Sequence, residues 1–357
     1  MNRMNQRLTI AGCAATLALH LAGCSDAAAV KTDADYQAEI GGGMQAAIAV
    51  EIDGWLAASR SLCDAAPLPA GRGWDPALDG GAIAAMKASW RAARVRYEHV
   101  EGAVAPLFPE LDASTDARYD DSLAELGPAG DADLFDDQGV TGMHAIERIL
   151  YAPTIPAEVK SFEAPLPGYV EARFPGSAAE ASSFKLKLCA RLVADVTTLR
   201  AQWKPAKLDI GAAFEGLISL MNEQREKVNK AATGQEESRY SRMTLADIHA
   251  NLEGTETIYA LFQPWIATKP KGPAADQGIT AGFAALRVAY DATPGDTIPE
   301  PPATWSAEPS VKDRATPFGQ LFEAVTFAVD PARQGSIVFE MNEAAVVLGL
   351  PGFAEGA

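Results

Sequence analysis

The sequence predicts an all-α protein built from two helical bundles. Apolar residues recur at three- and four-residue intervals through most long segments, which is the period of an amphipathic helix. No alternating strand pattern stands out, and the hairpin dipeptide Asn-Gly is absent. The 357 residues are enough for two cores. A proline-rich stretch suggests the boundary, with bundles at residues 33–175 and 176–357.

Residues 1–23 have the pattern of a signal peptide. Arg3 and Arg7 form a basic start, and the apolar run at 8–21 is too short to span a membrane comfortably. The run ends in Leu-Ala-Gly before Cys24, which resembles the lipobox of bacterial lipoproteins.

We therefore expect the mature chain to start at Cys24, with lipid on its thiol and residues 24–32 as a tether. Ser25, in place of Asp, favours the outer over the inner membrane of the envelope. The alternative is an ordinary secretory signal with an incidental cysteine.

The composition is acidic. The net charge is −17, and without residues 1–23 the chain keeps 28 basic and 47 acidic residues, a net charge of −19. Such a surface repels nucleic acid and anionic lipid headgroups and attracts cations. We therefore expect no nucleic-acid partner, and membrane contact only through the lipid anchor.

Two cysteines remain in the predicted mature chain besides Cys24. Cys63 and Cys189 both lie in helical patterns, and an oxidising envelope compartment favours a disulfide between them. The alternative is two buried thiols. No C-x-x-C occurs, so neither a thiolate zinc site nor a redox motif is expected.

The N-terminal half should contain four helices. They are expected at residues 33–65, 82–106, 116–126 and 140–151. Three consecutive glycines at 41–43 should break or kink the first. Five prolines within 152–175 exclude a helix there.

The C-terminal half is also predicted to be helical. Helices are expected at residues 179–203, 210–232, 244–265, 281–290, 318–329 and 336–348. A second proline-rich loop covers residues 291–309.

One short helix holds the strongest chemical signal. His144 and Glu147 lie three residues apart, so they project from one helix surface. An imidazole beside a carboxylate can hold a metal or relay a proton, and it can also simply form a hydrogen bond. Alone, H-x-x-E is a weak signal.

Other carboxylates could join this pair. Glu98 and Glu101 are three apart on a predicted helix, where they repel each other unless a cation lies between them. Asp116 near a helix start could be a ligand or a helix cap. For Glu98, Glu101 and Glu223 the alternative is a solvated acidic surface.

Four blocks fall in one order along the chain. They are residues 94–101 (Arg-Val-Arg-Tyr-Glu-His-Val-Glu), 111–118 (Leu-Asp…Asp-Ala-Arg), 142–147 (Gly-Met-His-Ala-Ile-Glu) and 240–254 (Tyr-Ser-Arg-Met-Thr-Leu-Ala-Asp-Ile-His-Ala-Asn-Leu-Glu-Gly). Together they resemble the imelysin superfamily, called M75 peptidase-like. They look most like its EfeO/EfeM branch of periplasmic iron-uptake proteins, in the shorter, EfeM-like form.

The resemblance implies a two-bundle protein that binds a transition metal. Iron is favoured, with zinc, manganese or copper as alternatives, because carboxylates with one imidazole suit Fe, Mn or Zn better than Cu(I). The positions that match the family's site are Glu98, Glu101, Asp116, His144, Glu147 and, by its distance from the fourth block, Glu223. One extra residue between Glu101 and Asp116 leaves Asp112 as a substitute for Asp116.

Three functions follow from these observations. The first is a non-enzymatic, metal-binding component of envelope iron uptake, whose implied partners are an inner-membrane iron permease and a haem-type peroxidase. The second is a zinc-dependent M75 metallopeptidase. His144 lacks the H-E-x-x-H context, so a peptidase would need His99 or His249 as a distant ligand. The third is a polysaccharide-binding or adhesion lipoprotein that uses some of the six tryptophans, although Trp55 and Trp90 occupy helix-core positions.

Overall fold

The computed structural model describes residues 31–204, 206–306 and 308–353. These residues form helices and turns and contain no β-strand, so the predicted all-α class is confirmed. The predicted signal peptide, Cys24 and most of the tether lie outside the described residues. The helices are α1 (Asp33–Ala65), α2 (Pro76–Glu98), α3 (Glu101–Leu107), α4 (Pro109–Asp116), α5 (Tyr119–Leu126), α6 (Gly142–Leu150), α7 (Ala157–Glu163), α8 (Ala178–Ser183), α9 (Cys189–Trp203), α10 (Ile210–Lys230), α11 (Thr244–Tyr259), α12 (Gln263–Ile266), α13 (Gly272–Asp291), α14 (Val311–Arg314), α15 (Pro317–Val329) and α16 (Ile337–Leu348).

Helix α1 is one continuous helix, so the predicted break at residues 41–43 is wrong. A capping box at Thr32 closes its start. Gly41 and Gly42 face open space, and Gly43 lies against the Leu261 side chain. Each helical glycine costs about 1 kcal/mol relative to alanine. Burial of one side of α1 against α2 and α9 offsets that cost.

The two halves pack against each other through several helices. Helix α9 lies along α1, α3 against α10, and α11 against α2. Cys63 of α1 and Cys189 of α9 form a disulfide, with Cα atoms 5.6 Å apart. Buried apolar side chains from both halves form one continuous core. The division at residue 175 stays a prediction.

The expected helix at 82–106 is two helices. Asp75 caps α2, which starts at Pro76, and the helix ends at Glu98 before a turn leads into α3. Glu98 and Glu101 therefore do not share a helix, and that prediction is wrong. Helix α11 crosses at this turn, where a Cβ on Gly254 would lie 2.1 Å from the His99 carbonyl oxygen. The helical periodicity of the sequence does not predict this close contact between the two backbones.

Asp116 is the last residue of α4, and α5 begins only at Tyr119. The predicted helix at 116–126 therefore starts too early, and a capping role for Asp116 at a helix start is wrong. The segment 152–175 also contains a helix, α7, contrary to prediction. Pro156 precedes α7 and Pro165 follows it, so the prolines border the helix instead of interrupting it.

The C-terminal helices match their predicted positions closely at α10, α15 and α16. The expected helix at 179–203 contains a π-helical turn, Phe184–Leu188. The expected helix at 244–265 is divided into α11 and α12. Helix α13 begins at Gly272, nine residues before the predicted start.

Candidate metal centre

Helix α6 brings the H-x-x-E pair into the interior, and all nine of its residues are buried. It begins at Gly142, whose φ of +88° is a conformation that favours glycine. A Cβ there would lie 2.6 Å from the Thr115 carbonyl oxygen. Glycine thus lets the start of α6 lie against the end of α4, beside Asp116.

His144 has one occupied and one unpartnered ring nitrogen. Its Nδ1 lies 3.0 Å from Glu147 Oε2, and the other Glu147 oxygen accepts the Ser241 backbone N–H at 2.8 Å. The Nε2 atom is buried and has no hydrogen bond to any of the described residues. It faces Asp116 Oδ1 at 3.5 Å and Glu237 Oε1 at 3.6 Å. One ligand atom from each of these three residues lies within 4.8 Å of the others, a spacing that could hold a metal ion.

Glu237 was missed from the sequence. It lies in the turn segment between α10 and α11, where Arg242 adopts a left-handed φ of 59°. The paired acids Glu236 and Glu237 just ahead of the Tyr240 block were a signal. No helical periodicity links this turn to α6, so the sequence alone does not place Glu237 near His144.

Arg94 is the buried cation at the centre, with a side chain that is 1% exposed. It forms ion pairs with four carboxylates: Glu98, Asp116, Glu237 at 3.2 Å and Asp247 at 3.6 Å. Burial alone would lower the pKa of Arg94, but these carboxylates raise it well above its usual value. Arg94 also offsets the unfavourable position of a carboxylate at the C-terminal end of α4.

Glu98 and Glu101 are brought together by an amide. The Asn251 Nδ2 donates to Glu98 Oε2 at 2.5 Å and to Glu101 Oε2 at 2.8 Å. Lys227 Nζ donates to Glu101 Oε2 at 3.1 Å. Burial raises the pKa of Glu98 well above its usual value despite Arg94, whereas Lys227 lowers the pKa of Glu101 despite burial. Both predicted ligands thus already have polar partners.

The other two predicted carboxylates lie farther from His144. Asp112 accepts a hydrogen bond from the Tyr97 hydroxyl at 2.6 Å, and burial with the nearby charge of Asp116 raises its pKa to about 7. It is therefore Asp116, and not its substitute, that faces His144. Glu223 is exposed and lines an acidic cavity of about 500 Å³ that reaches Asp116 and Glu237.

His144 itself is held in its charged form. Burial and Arg94 lower its pKa, but Asp116, Glu147 and Glu237 outweigh them and raise it to about 9. Even so, carboxylates outnumber cationic groups here. The carboxylates are Glu98, Glu101, Asp116, Glu147, Glu237 and Asp247, and the cationic groups are Arg94, Lys227 and protonated His144. An excess of buried carboxylates draws in a cation.

The profile of the imelysin family (Peptidase_M75) matches residues 45–315, about three quarters of the chain. The chain belongs to the imelysin family. It is similar to the iron uptake system component EfeM of Pseudomonas syringae pv. syringae, with 31% identity over 195 residues, 55% of this chain and 54% of that protein. It is also similar to the iron uptake system component EfeO of Escherichia coli strain K12, with 29% identity over 193 residues, 53% of this chain and 40% of that protein. The chain matches about half the length of these curated relatives.

The fold of this imelysin-family chain is also found in a solved structure. A crystal structure of a protein described as an iron-regulated protein A precursor, from Parabacteroides distasonis, superposes with a TM-score of 0.53 at 14% identity. The likeness covers 90% of this chain and 96% of that one, and at this identity it supports the fold alone. Within the described ranges, no helix is long and apolar enough to cross a membrane.

Proposed function

We propose that this imelysin-family chain binds a transition-metal ion, with iron as its cargo, through Asp116, His144 and Glu237. The unpartnered, buried Nε2 of His144, facing two carboxylate oxygens, is the observation that carries the proposal. One imidazole with carboxylates forms a borderline to hard donor set, which suits iron, zinc or manganese better than Cu(I).

In this proposal the H-x-x-E glutamate has a positioning role. Glu147 bonds Nδ1 of His144 and is itself fixed by the Ser241 backbone, so it orients the ring towards the ligand oxygens. Glu98 and Glu101 surround the site and balance Arg94 and Lys227. Glu223 contributes charge at the rim of the acidic cavity.

The similarity to EfeM and EfeO supports a place in an envelope iron-uptake system. The chain would be anchored through lipid at Cys24, on the outer membrane, without enzymatic activity. It would pass iron towards an inner-membrane permease and act beside a haem-type peroxidase.

The two alternative functions gain no support from the described residues. His99 and His249 lie with Glu51 and Asp291 instead of reaching His144, so neither imidazole joins the H-x-x-E pair in a zinc site. Five of the six tryptophans are buried. The sixth, Trp305, packs against phenylalanine rings, so these side chains serve the core instead of a sugar-stacking surface.

Calorimetric titration with Fe, Zn and Mn salts tests the proposal. His144→Ala, Asp116→Asn and Glu237→Gln should each weaken binding strongly. Glu147→Gln should weaken it about 10- to 100-fold, as expected for a residue that orients a ligand. Glu226→Gln is the matched control, because Glu226 is an exposed acid lining the same cavity and should bind like wild type. Equal affinity in wild type and the three ligand variants would contradict the proposal.

A further inference from the structure

A second histidine cluster lies where α11 crosses the turn between α2 and α3. His99 comes from that turn, and His249 and Glu253 lie one helical turn apart on α11. We propose that His99, His249 and Glu253 bind a second metal ion, a divalent cation of the zinc type. None of these residues belongs to the His144 centre, so this inference does not rest on the proposed function.

Each imidazole is held by a carboxylate on one nitrogen. His99 Nδ1 lies 3.1 Å from Glu51 Oε2, and His249 Nε2 lies 3.1 Å from Asp291 Oδ1. In metal sites a carboxylate on one ring nitrogen fixes the ring and its tautomer and leaves the other nitrogen free to bind the ion. Both histidines show this arrangement.

The two remaining nitrogens face the same carboxylate. His99 Nε2 lies 3.4 Å from Glu253 Oε2, and His249 Nδ1 lies 3.5 Å from Glu253 Oε1. His99 Nε2 is a buried atom that forms no hydrogen bond within the part of the chain that the structure describes. Two imidazoles and one carboxylate are a frequent protein ligand set for zinc, which then keeps a further position for water.

Charge and space also fit a divalent ion. With neutral histidines, the cluster carries a net charge of about −2. Its charged members are Glu51, Glu253, Glu256 and Asp291, with Arg96 on Glu51 and Arg287 on Glu253 and Glu256. An adjoining cavity of about 350 Å³, lined by Glu51, His99 and Glu253, has room for water ligands.

The ligand atoms of His99, His249 and Glu253 do not meet the 4.8 Å spacing of the His144 centre, so closure around one ion needs movement of side chains. The Glu253 side chain is 43% exposed and that of His249 is 28% exposed, so both can shift inward. Arg287 can release Glu253 because it also pairs with Glu256.

Calorimetric titration of Zn²⁺ into the His144→Ala variant tests this second site separately, because the variant lacks a proposed ligand of the His144 centre. We expect His144→Ala to bind one Zn²⁺, and an added His249→Gln or Glu253→Gln to weaken that binding at least about tenfold. Glu51 does not bind the ion in this proposal, because its role is to orient the His99 ring. Glu51→Gln should nevertheless weaken Zn²⁺ binding about 10- to 100-fold, since the His99 ring is then no longer held in place. Glu343→Gln, an exposed acid on α16, is the charge-matched control and should leave binding unchanged.

Circular dichroism melts establish that each variant is folded, and Asp116→Asn replaces His144→Ala as background if that variant unfolds. A background variant that binds no Zn²⁺ while wild type binds one would overturn this inference and leave the proposed function intact. Binding in the background that is unaffected by His249→Gln and Glu253→Gln would overturn it as well. If wild type and His144→Ala bind alike, and binding is lost with His249, this site stands and the proposed function fails.

Discussion

Helix α6 carries His144 and Arg148 one turn apart, and the two residues belong to differently balanced buried clusters. Arg148 Nε donates to Glu163 Oε2 at 3.0 Å, and Nη2 donates to the Val170 carbonyl at 2.7 Å. Its guanidinium lies 3.8 Å from the centre of the Tyr119 ring. The other Glu163 oxygen accepts the Tyr240 hydroxyl. One buried cation thus meets one carboxylate, and both have further polar partners.

The cluster around His144 has more carboxylates than cationic groups and an unpartnered Nε2. His144 and Arg148 are themselves buried to a similar degree, since His144 is 1% and Arg148 is 2% exposed. The clusters therefore differ in charge balance and in the access that the acidic cavity gives to Asp116 and Glu237. Loss of one partner from a balanced buried pair is costly, whereas a buried excess of carboxylates around an imidazole nitrogen without a hydrogen bond provides a place for a cation.

The largest effect should come from Arg94→Met, which leaves several buried carboxylates without their central cation. Loss of one partner of a buried ion pair costs about 3–5 kcal/mol of stability, and this variant should lie at the upper end. Urea unfolding at pH 7 measures it. Arg200→Met is the control, because its ion pair with Asp53 is exposed and should contribute less than about 1 kcal/mol. Equal losses in the two variants would show that Arg94 does not organise the centre.

Arg148→Met should cost slightly less, about 3 kcal/mol, because Glu163 keeps the Tyr240 hydroxyl as a partner. Its affinity for metal should match that of wild type, since Arg148 contacts none of the three proposed ligands. Urea unfolding and calorimetric titration of the same sample measure both quantities. A fall in metal affinity comparable to that of His144→Ala would show that the two clusters are not separate.

The sequence predicted the all-helical class because helical periodicity is present in almost every long segment. It failed where tertiary contacts decide the local structure. Packing of α1 holds residues 41–43 helical, and the close approach of Gly254 to the His99 carbonyl accompanies the turn that separates Glu98 from Glu101.

The candidate site was predicted in part for the same reason. His144, Glu147 and Asp116 are brought together as the residue spacing and the family resemblance implied. Glu237 lies on a turn without periodicity, and Arg94 is a cation among expected metal ligands. Neither placement follows from a helical pattern, since each depends on how α2, α6 and the turn before α11 meet.

Metal binding should release a proton. The pKa of His144 is raised to about 9, so the metal-free ring is charged at pH 7, and an ion at Nε2 must expel that proton. About one proton per ion should appear when calorimetry is repeated in buffers of different ionisation enthalpy. Affinity should rise with pH up to about 9. Without metal, the contribution of His144 to stability is full below pH 6.5 and is lost as pH rises through about 9.

Metal binding to Arg148→Met should release the same proton, because this substitution leaves the His144 cluster unchanged. Proton release that is absent at pH 7, or that persists in His144→Ala, would contradict the assignment of the ligand nitrogen.

The smallest effect should come from Glu223→Gln at the rim of the acidic cavity. Rim charges act mainly on association, so we expect the association rate to fall less than about threefold at low salt, with little change in equilibrium affinity. Stopped-flow mixing at two ionic strengths measures this, and the difference should shrink as salt screens the charge. A loss of affinity as large as that of Glu237→Gln would make Glu223 a ligand.

The position of a bound ion tests the central claim most directly. Crystals grown with Zn²⁺, a redox-inert substitute for iron, should give an anomalous difference peak about 2.0–2.2 Å from His144 Nε2 and from oxygens of Asp116 and Glu237. A peak bound instead by Glu98 and Glu101, or no peak near α6 at saturating Zn²⁺, would contradict the account.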